Sequence, residues 1–366
     1  MNRFYFALLC AALGVAGCGD DAESPTTGGQ DAGGDTVTVD TDDGDDVSGT
    51  DTGGTDTGGT DTGGTDTVTP TDTIGPDGLP IPSSLELSGT CPLETRFGGF
   101  LVQAEESYSF VSGEVSNGIV PSNVLEETLN EAGCVLLKRD NPFCDPGCTP
   151  GFVCDYDGEC ITYPEPQQLG TVSVDGLIQA VSMEPPEGVG ANYFDATLPH
   201  PAMVVDNTIR LQSEGGGFEP FTLYGIGVEP ISVIEGTEWL VEEGIDLQLA
   251  WAPPVEGNYG EIFISLNIDQ HGLSPTTMYC ILPDTGSGSV PSAVTDGLIE
   301  AGVTGFPSGV VARRTADSTT VGDGCVDLVA LSTKTVAVDV IGFTPCNRMT
   351  PCPEGLTCNL PLEICE

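Results

Sequence analysis

Residues 260–269 read GEIFISLNID, and the alternation in this stretch decides the fold class. Every second residue is aliphatic, and most of the residues between them are polar. Successive side chains of a β-strand point to opposite faces, so a period of two indicates a strand. One face of this strand is expected to be buried and the other to face solvent. The aliphatic positions are Ile262, Ile264, Leu266 and Ile268.

Short stretches with the same alternation recur between residues 165 and 343. They are separated by Gly, Pro and Asn, which are turn residues. This spacing predicts a mainly β protein whose body, residues 165–343, is an antiparallel β-sandwich or jelly roll. One short helix is expected at 291–302, where apolar residues share a helical face. The other strands are expected at 172–174, 209–211, 221–223, 245–251, 326–328 and 336–340.

Residues 85–164 are predicted to form a smaller cysteine-containing β module before this body. Alternation at 100–104 and at 108–110 indicates strands. A second short helix is expected at 120–133, where apolar residues recur at three- and four-residue spacing. Gly133 would end this helix.

Fourteen cysteines indicate an oxidising compartment. Cys10 lies in an apolar leader and Cys18 directly after it, which leaves an even number, and we expect six disulfides. Cys280 and Cys325 are the two cysteines of the body, so they are predicted to pair, closing a loop worth roughly 4 kcal/mol. The twelve cysteines are Cys91, Cys134, Cys144, Cys148, Cys154, Cys160, Cys280, Cys325, Cys346, Cys352, Cys358 and Cys365.

Two cysteine clusters, at 144–160 and in the C-terminal knuckle 344–366, repeat one pattern. CTPGFVC at 148–154 corresponds to CPEGLTC at 352–358. Gly151 and Gly355 would permit a turn with positive φ. The pattern resembles the small modules of the Dickkopf N-terminal type, which implies a disulfide-stapled knuckle. Zinc is the alternative, but structural zinc sites favour shorter gaps or nearby histidines, so no metal is expected.

The first residues have the features of an export signal. Arg3 precedes an apolar run from Phe4 to Gly14, which is too short to span a bilayer. Val15-Ala16-Gly17-Cys18 then resembles a bacterial lipobox, which implies that residues 1–17 are removed and that Cys18 is acylated, with palmitate among its fatty acids. Gly19, rather than Asp, follows the cysteine, and by the same resemblance this implies the outer membrane.

Residues 18–84 are predicted to be a disordered acidic tether. The stretch is rich in Gly, Thr and Asp and repeats TDTGG from Thr50 onward, so it offers little apolar surface to bury. Calcium-binding β-helix repeats are the alternative, but they follow a nine-residue pattern that this five-residue unit does not match. With this tether, the layout resembles uncharacterised tethered lipoproteins of Gram-negative bacteria.

The net charge of −47 excludes one class of partner. Such a surface repels phosphate backbones and anionic lipid headgroups, so no nucleic acid is expected. Contact with the membrane is expected only through the N-terminal lipid. A glycan or an envelope protein would be the other partner.

Asp284-Thr285-Gly286-Ser287 resembles the active-site loop of aspartic proteases, where two carboxylates share a proton. The other Asp-Thr-Gly triplets lie in the tether, and a turn explains the residues equally well. His200 lies between two prolines in a predicted loop. Asp269 and His271 follow a strand and form a second hydrolase candidate. No nucleophile elbow, zinc-protease motif or phosphate-binding loop occurs, so no catalytic residue and no cofactor is assigned.

Exposed aromatic residues would suit a carbohydrate-binding module. Trp251 is expected in the core, whereas Trp239 and Tyr259 lie near predicted turns, where exposure would suit sugar binding and packing at the rim of the core is the favoured alternative. The adjacent Arg313 and Arg314 are predicted to form a strand-end salt bridge. The full set of aromatic candidates is Trp239, Trp251, Tyr193, Tyr224 and Tyr259.

These features together predict a lipid-anchored envelope protein with a non-enzymatic binding or structural domain. The alternatives are a carbohydrate-binding module and an aspartic-type hydrolase around Asp284.

Overall fold

The computed structural model describes residues 74–75, 78–138, 144–185, 192–234, 238–255, 257, 259–268 and 276–366. The predicted leader, Cys18, the tether up to residue 73, Asp269 and His271 lie outside these residues. The strands are β1 Arg96–Ala104, β2 Ser109–Val115, β3 Glu126–Glu131, β4 Cys134–Lys138, β5 Phe152–Cys154, β6 Cys160–Thr162, β7 Val172–Asp175, β8 Val181–Met183, β9 Tyr193–Asp195, β10 Thr208–Ser213, β11 Phe221–Ile226, β12 Glu238–Val241, β13 Leu247–Ala250, β14 Glu261–Asn267, β15 Thr276–Pro283, β16 Ser287–Val290, β17 Ser308–Val321, β18 Gly324–Val340, β19 Cys358–Asn359 and β20 Ile364–Cys365.

The longest hairpin, β17–β18, forms the centre of a ten-stranded sheet. Val321 pairs with Gly324, so the turn has two residues, and Gly322 adopts the positive φ that such a turn requires. The strand order is β3-β4-β15-β14-β17-β18-β1-β2-β9, and β12 joins through β18.

β18 is paired along both of its edges. Its first half, Cys325–Ser332, runs parallel to β1, and Ala337–Val340 runs parallel to β12. Ala337 pairs with both Ser308 and Glu238, so β12 lies on the edge opposite β17. The expected antiparallel arrangement therefore holds within the described residues except for these two parallel pairs.

A four-stranded antiparallel sheet, β11-β10-β7-β8, packs over one half of the large sheet. The first hydrophobic core lies between them. It joins Phe100 and Val102 of β1 to Val174, Ile209 and Leu223 of the smaller sheet. Two packed sheets of this kind are the sandwich that the alternating pattern predicts.

A second core lies beneath the other half of the large sheet. Its cover is the β13–β16 pair together with helix α1, Ser292–Ala301, which matches the predicted helix. Val294 and Leu298 of α1 belong to this cluster together with Leu136 of β4 and Met278 of β15, and α1 contacts both of these strands.

The strand quoted first, β14, is buried on both faces rather than on one. Ile262 and Ile264 belong to the second core, whereas Phe263 belongs to a third cluster on the opposite face. The residues of this third cluster come from the large sheet, and they are Leu101, Phe263, Ala312, Ala316, Val329 and Leu331, with Tyr279 and Ile281 beside them. The prediction of a solvent-facing side is wrong here because large side chains of the neighbouring strands cover that face: the Phe263 ring stacks on Tyr279 and lies 4.9 Å from the Arg314 guanidinium.

The helix predicted at 120–133 is not present. A short 3₁₀ turn at Pro121–Asn123 leads into strand β3, which pairs with β4. Ala132 and Gly133 both adopt positive φ and connect the two strands, so Gly133 closes a hairpin instead of ending a helix. The three- and four-residue spacing was misleading because β4 gains a second partner, β15, from a distant part of the chain.

Six disulfides join the twelve cysteines, but the predicted Cys280–Cys325 pairing is wrong. Cys280 is bonded to Cys134 and Cys325 to Cys91. Cys134 and Cys280 lie directly opposite each other on β4 and β15. Both bonds cross the predicted boundary at 164/165, and strands from either side of it share the large sheet.

The folded part also begins before the predicted start at residue 85. Leu79 is buried, and the hydroxyl of Thr208 donates a hydrogen bond to the carbonyl oxygen of Pro80. Among the described residues, no helix has the length and apolarity that crossing a bilayer requires.

Candidate functional site

A group of three aromatic rings lies at the β2–β9 end of the large sheet, with Tyr108 directly before β2, Phe110 on β2 and Phe194 on the edge strand β9. We name Tyr108, Phe110 and Phe194 the aromatic patch. The ring centroids of Tyr108 and Phe110 are 6.0 Å apart and the rings stack at 22°, and Phe110 and Phe194 are also 6.0 Å apart. Tyr108 is 43% exposed and Phe194 54% exposed, whereas Phe110 between them is buried. Two open rings are thus held in place by a third that is anchored in the protein.

The strand register puts polar groups beside this patch. Gln103 of β1 lies directly opposite Phe110, so both side chains project from the same face of the sheet. The Gln103 side-chain amide donates hydrogen bonds to the Glu105 carboxylate and to Thr333 Oγ1. Its Oε1 is buried and has no hydrogen-bond partner among the described residues. An acceptor without a donor in a buried position costs free energy.

Carboxylates and one amine surround the same region. Burial raises the pKa of Glu105, an effect that its hydrogen bonds to Thr333 and Gln103 partly offset. Burial also raises the pKa of Glu114 on the same face of β2. Lys334 forms an ion pair with Glu106 next to this group. The patch therefore combines apolar rings with hydrogen-bonding groups whose charge is mainly negative.

Asp284 has a structural role in the described residues. Its carboxylate forms an ion pair with Arg313, with 2.5 Å between Nε and Oδ2, and accepts a 2.7 Å hydrogen bond from Trp251 Nε1. Arg313 also donates to the carbonyl oxygens of Glu229 and Ala252, at 3.1 and 2.8 Å. A carboxylate engaged in this way does not resemble the proton-sharing pair of an aspartic protease.

The depression next to Asp284 is small. It is lined by Asp206, Glu229, Tyr259, Asp284 and Arg313 and holds about 10 Å³ of free volume. That is room for about one water molecule. The Asp284 side chain is itself 1% exposed, so little of its carboxylate is accessible from this depression.

The predicted aromatic sugar platform is not at Trp239. Trp239 is 3% exposed and packs in the second core, where its ring lies against the backbone of Gly309. Trp251 is buried, as expected. Tyr193 is also buried, in the first core, and its hydroxyl donates a hydrogen bond to the carbonyl oxygen of Gly170. Tyr224 is half-buried and Tyr259 is 44% exposed.

The arginine pair forms the predicted salt bridges, but in the middle of a strand. Arg314 of β17 pairs with Glu261, and its guanidinium lies 4.9 Å from the centroid of the Phe263 ring. Desolvation lowers the pKa of Arg314, and Glu261 opposes this shift. His200 shares a 3.0 Å hydrogen bond between its Nδ1 and Ser109 Oγ, next to the start of β2.

The two cysteine knuckles have the same connectivity. In each cluster the first cysteine is bonded to the third and the second to the fourth. Each carries a small hairpin, β5–β6 or β19–β20, and the predicted turn glycines both have positive φ. The sulfur groupings that could suggest a metal are thus disulfides.

Tyr108, Phe110 and Phe194 were not among the aromatic residues selected from the sequence. The signal for the first two was the spacing of 108 and 110 in a predicted strand, which places both rings on one face. Phe194 carried no such signal, because it joins the patch through the pairing of β9 with β2.

No protein-family model matches this chain, and no curated protein matches it. One similar solved structure is described as the chicken CNTN1 FN1–FN3 domains. The identity is 8%, the alignment covers 60% of this chain and 69% of that chain, and the TM-score is 0.17. A TM-score this low supports neither a structural nor a functional comparison, so the proposals for this protein depend on its own residues.

Proposed function

We propose that the protein is a lipid-anchored envelope lipoprotein whose β-rich domain acts in binding or as a structural component, and not as an enzyme. The lipobox-like residues 15–18 supply the anchor at Cys18, and the acidic stretch after them spaces the domain from the bilayer. The observation that carries the proposal is the pairing of all twelve cysteines from Cys91 onward in six disulfides. Disulfides at this density persist in oxidising compartments, which for a bacterial protein means outside the cytoplasm.

The lipid would be the main membrane contact. Each buried CH₂ contributes about 0.8 kcal/mol, and stable anchoring takes more than one acyl chain. Sorting to the outer membrane follows from the position of Gly19 after Cys18. The negative charge of the protein would keep the domain itself away from anionic headgroups.

The hydrolase alternative finds little support in the geometry. Asp284 is engaged by Arg313 and Trp251, and its side chain is 1% exposed. Because this carboxylate is held by an ion pair and a hydrogen bond in the interior, it is not free for acid–base chemistry.

The experiment compares two cysteines that lie eight positions apart. The full chain is expressed in a Gram-negative host with an alkyne analogue of palmitate. Wild type and Cys10→Ala should incorporate the label, and Cys18→Ala should not. Incorporation of the label is measured rather than partitioning into detergent, because an unprocessed apolar leader would partition into detergent even without a lipid. Equal labelling of Cys18→Ala, or none in wild type, would refute the anchor.

A separate measurement tests the compartment. The mature protein should show no free thiols under denaturing, non-reducing conditions, because twelve cysteines are in disulfides and Cys18 is acylated. Several titratable thiols per chain would contradict the exported, oxidised state.

A further inference from the structure

We propose that the cavity between the end of β18 and the C-terminal knuckle binds a small organic ammonium ion that carries one apolar ring. The proposal names a ligand class for the binding role proposed above, and it rests on that role.

The cavity forms where the β17–β18 hairpin ends. Ser308, at the start of β17, pairs with Ala337, so residues 338–340 of β18 extend beyond the end of β17. The chain before β17 lies against the knuckle instead, and the Gly305 N–H donates a hydrogen bond to the carbonyl oxygen of Leu362. A cavity of about 140 Å³ lies between β12, the end of β18, the segment before β17 and the knuckle.

The size and the apolar walls of this cavity define the first requirement for the ligand. Val303, Val338 and Val340 form the buried part of its lining, and Phe343 and Ile364 are half-buried at its side. An apolar cavity of about 150 Å³ accommodates a benzene ring. The ligand group that enters the cavity is therefore one ring or an alkyl group of the same volume, which is smaller than a sugar chain or a peptide.

The knuckle side of the cavity is held in place by covalent bonds and hydrogen bonds. Pro345 and Ile364 lie opposite each other in a β-bridge, and the Cys365 N–H donates a hydrogen bond to the carbonyl oxygen of Thr344. The disulfides Cys346–Cys358 and Cys352–Cys365 join this segment to the rest of the knuckle. A wall fixed in this way loses little conformational freedom when a ligand binds.

The charged groups define the second requirement. Glu238 of β12 and Asp339 of β18 are the charged residues among the described lining. Glu238 pairs with Ala337 and Leu240 with Asp339, so the Glu238 and Asp339 carboxylates project from the same face of this strand pair. Glu238 is exposed and Asp339 half-buried, so a ligand can reach both. Neither has an ion-pair partner in the part of the chain that the structure describes.

Other classes of ligand meet at most one of these two requirements. An anion would be repelled by the two carboxylates and by the net charge of −47. A Ca²⁺ ion takes about six to eight oxygen ligands and would leave the apolar walls uncovered. A neutral hydrocarbon would fill the cavity without using the carboxylates. An ammonium ion with one apolar ring places the ring against the valines and its N–H groups at the carboxylates.

The experiment titrates the mature protein, purified in an uncharged detergent, with benzylamine by isothermal titration calorimetry, and a titration into detergent alone is subtracted. The salt concentration is about 0.15 M, where charges beyond about 8 Å are largely screened. Saturable binding of one benzylamine per chain is expected. Benzyl alcohol keeps the ring without the charge and should bind about tenfold more weakly. Methylammonium keeps the charge without the ring and should show no saturable binding.

A double variant tests the position of the site. Glu238→Gln with Asp339→Asn should weaken benzylamine binding by about tenfold, while far-UV circular dichroism stays unchanged. Glu126→Gln with Glu131→Gln is the matched control, because it removes two exposed strand carboxylates of β3 outside the cavity, and it should bind as wild type does.

Absence of saturable benzylamine binding, or equal affinity of wild type and the Glu238/Asp339 double variant, would overturn the proposal. Equal affinity for benzyl alcohol and benzylamine would overturn the charge argument and with it the ligand class. An equal loss in the β3 control would show general attraction of a cation to an acidic chain, which also overturns the site. A protein that is labelled at Cys18 yet does not bind benzylamine would refute the ammonium site alone.

Discussion

The buried ion pair between Asp284 and Arg313 should contribute strongly to stability, and Asp284→Ala tests this. The two side chains are 1% and 3% exposed. The substitution removes the charge partner of Arg313 and the acceptor of the Trp251 Nε1 hydrogen bond. Arg313 cannot lose its proton to compensate, so a positive charge stays in the protein interior.

The magnitude follows from comparing two Asp–Arg pairs in the same protein. Breaking a buried pair by removing one partner costs about 3–5 kcal/mol, because the remaining charge is uncompensated. Asp175 and Arg210 form a pair at 2.7 Å with side chains 36% and 30% exposed. A solvent-exposed pair contributes about 0–1 kcal/mol. Asp175→Ala should therefore cost several kcal/mol less than Asp284→Ala.

The assay is urea unfolding of the mature protein with its disulfides intact, followed by far-UV circular dichroism. The free energies of unfolding of wild type, Asp284→Ala and Asp175→Ala are compared. The double variant Asp284→Ala with Arg313→Met should recover part of the loss, because it removes the unpaired charge. A cost for Asp284→Ala below 1 kcal/mol, or one no larger than that of Asp175→Ala, would refute the reasoning.

Three further perturbations concern the β4–β15 disulfide and strand β2. Replacing Cys134 and Cys280 together by Ala opens a loop of 146 residues and should lower the free energy of unfolding by up to about 5 kcal/mol in urea titrations. Gly113→Ala places a Cβ 2.1 Å from the ring of Phe100 and should cost about 1–3 kcal/mol in the same assay. Burial raises the pKa of Glu114, so the folded state favours its protonated form and stability falls as pH rises through the folded pKa. Glu114→Gln should therefore raise the free energy of unfolding at pH 7 and leave it unchanged near pH 3, below the ordinary glutamate pKa of about 4.3.

Each of these three predictions would be contradicted by a specific result. Gly147 has open space around its Cα, so Gly147→Ala should be nearly neutral, and an equal cost at Gly113 and Gly147 would argue against the steric explanation. A stable double Cys→Ala variant with an unchanged urea midpoint would show that the disulfide is not needed to hold β4 against β15. A stability gain for Glu114→Gln that is equal at both pH values would exclude titration as its cause.

The sequence predicted the local elements well where local contacts decide them. The strands at Val172, Ile209 and Phe221, helix α1 and the turn glycines of both knuckles all follow from short patterns. Period-two alternation and positive φ are properties of a few neighbouring residues, so they can be recognised without the rest of the fold.

The errors share one physical cause, which is pairing between residues far apart in the chain. Glu126–Glu131 forms a strand because β4 is held between it and β15, and no local pattern shows that partner. The prediction that Cys280 pairs with Cys325 assumed that residues 85–164 and 165–343 fold separately. The large sheet instead contains strands from both regions. Trp239 follows the polar residues Thr237 and Glu238, yet the parallel pairing of β12 with β18 places its ring in the core.

The candidate site was missed for the same reason. Tyr108 and Phe110 could be placed on one face from their spacing, but the third ring comes from residue 194 and the unpartnered Gln103 from the neighbouring strand. Only the register of β1, β2 and β9 brings these side chains together.

The parallel pairing of β1 with β18 sets the order in which a nascent chain can mature. β1 is made more than 200 residues before Cys325–Ser332, the segment that covers its open edge. A two-stranded β1–β2 hairpin is at best marginally stable in water, so its apolar residues stay uncovered until nearly the whole polypeptide has emerged. The native disulfide of Cys91 can therefore form only after Cys325, 234 residues further along the chain, has been made.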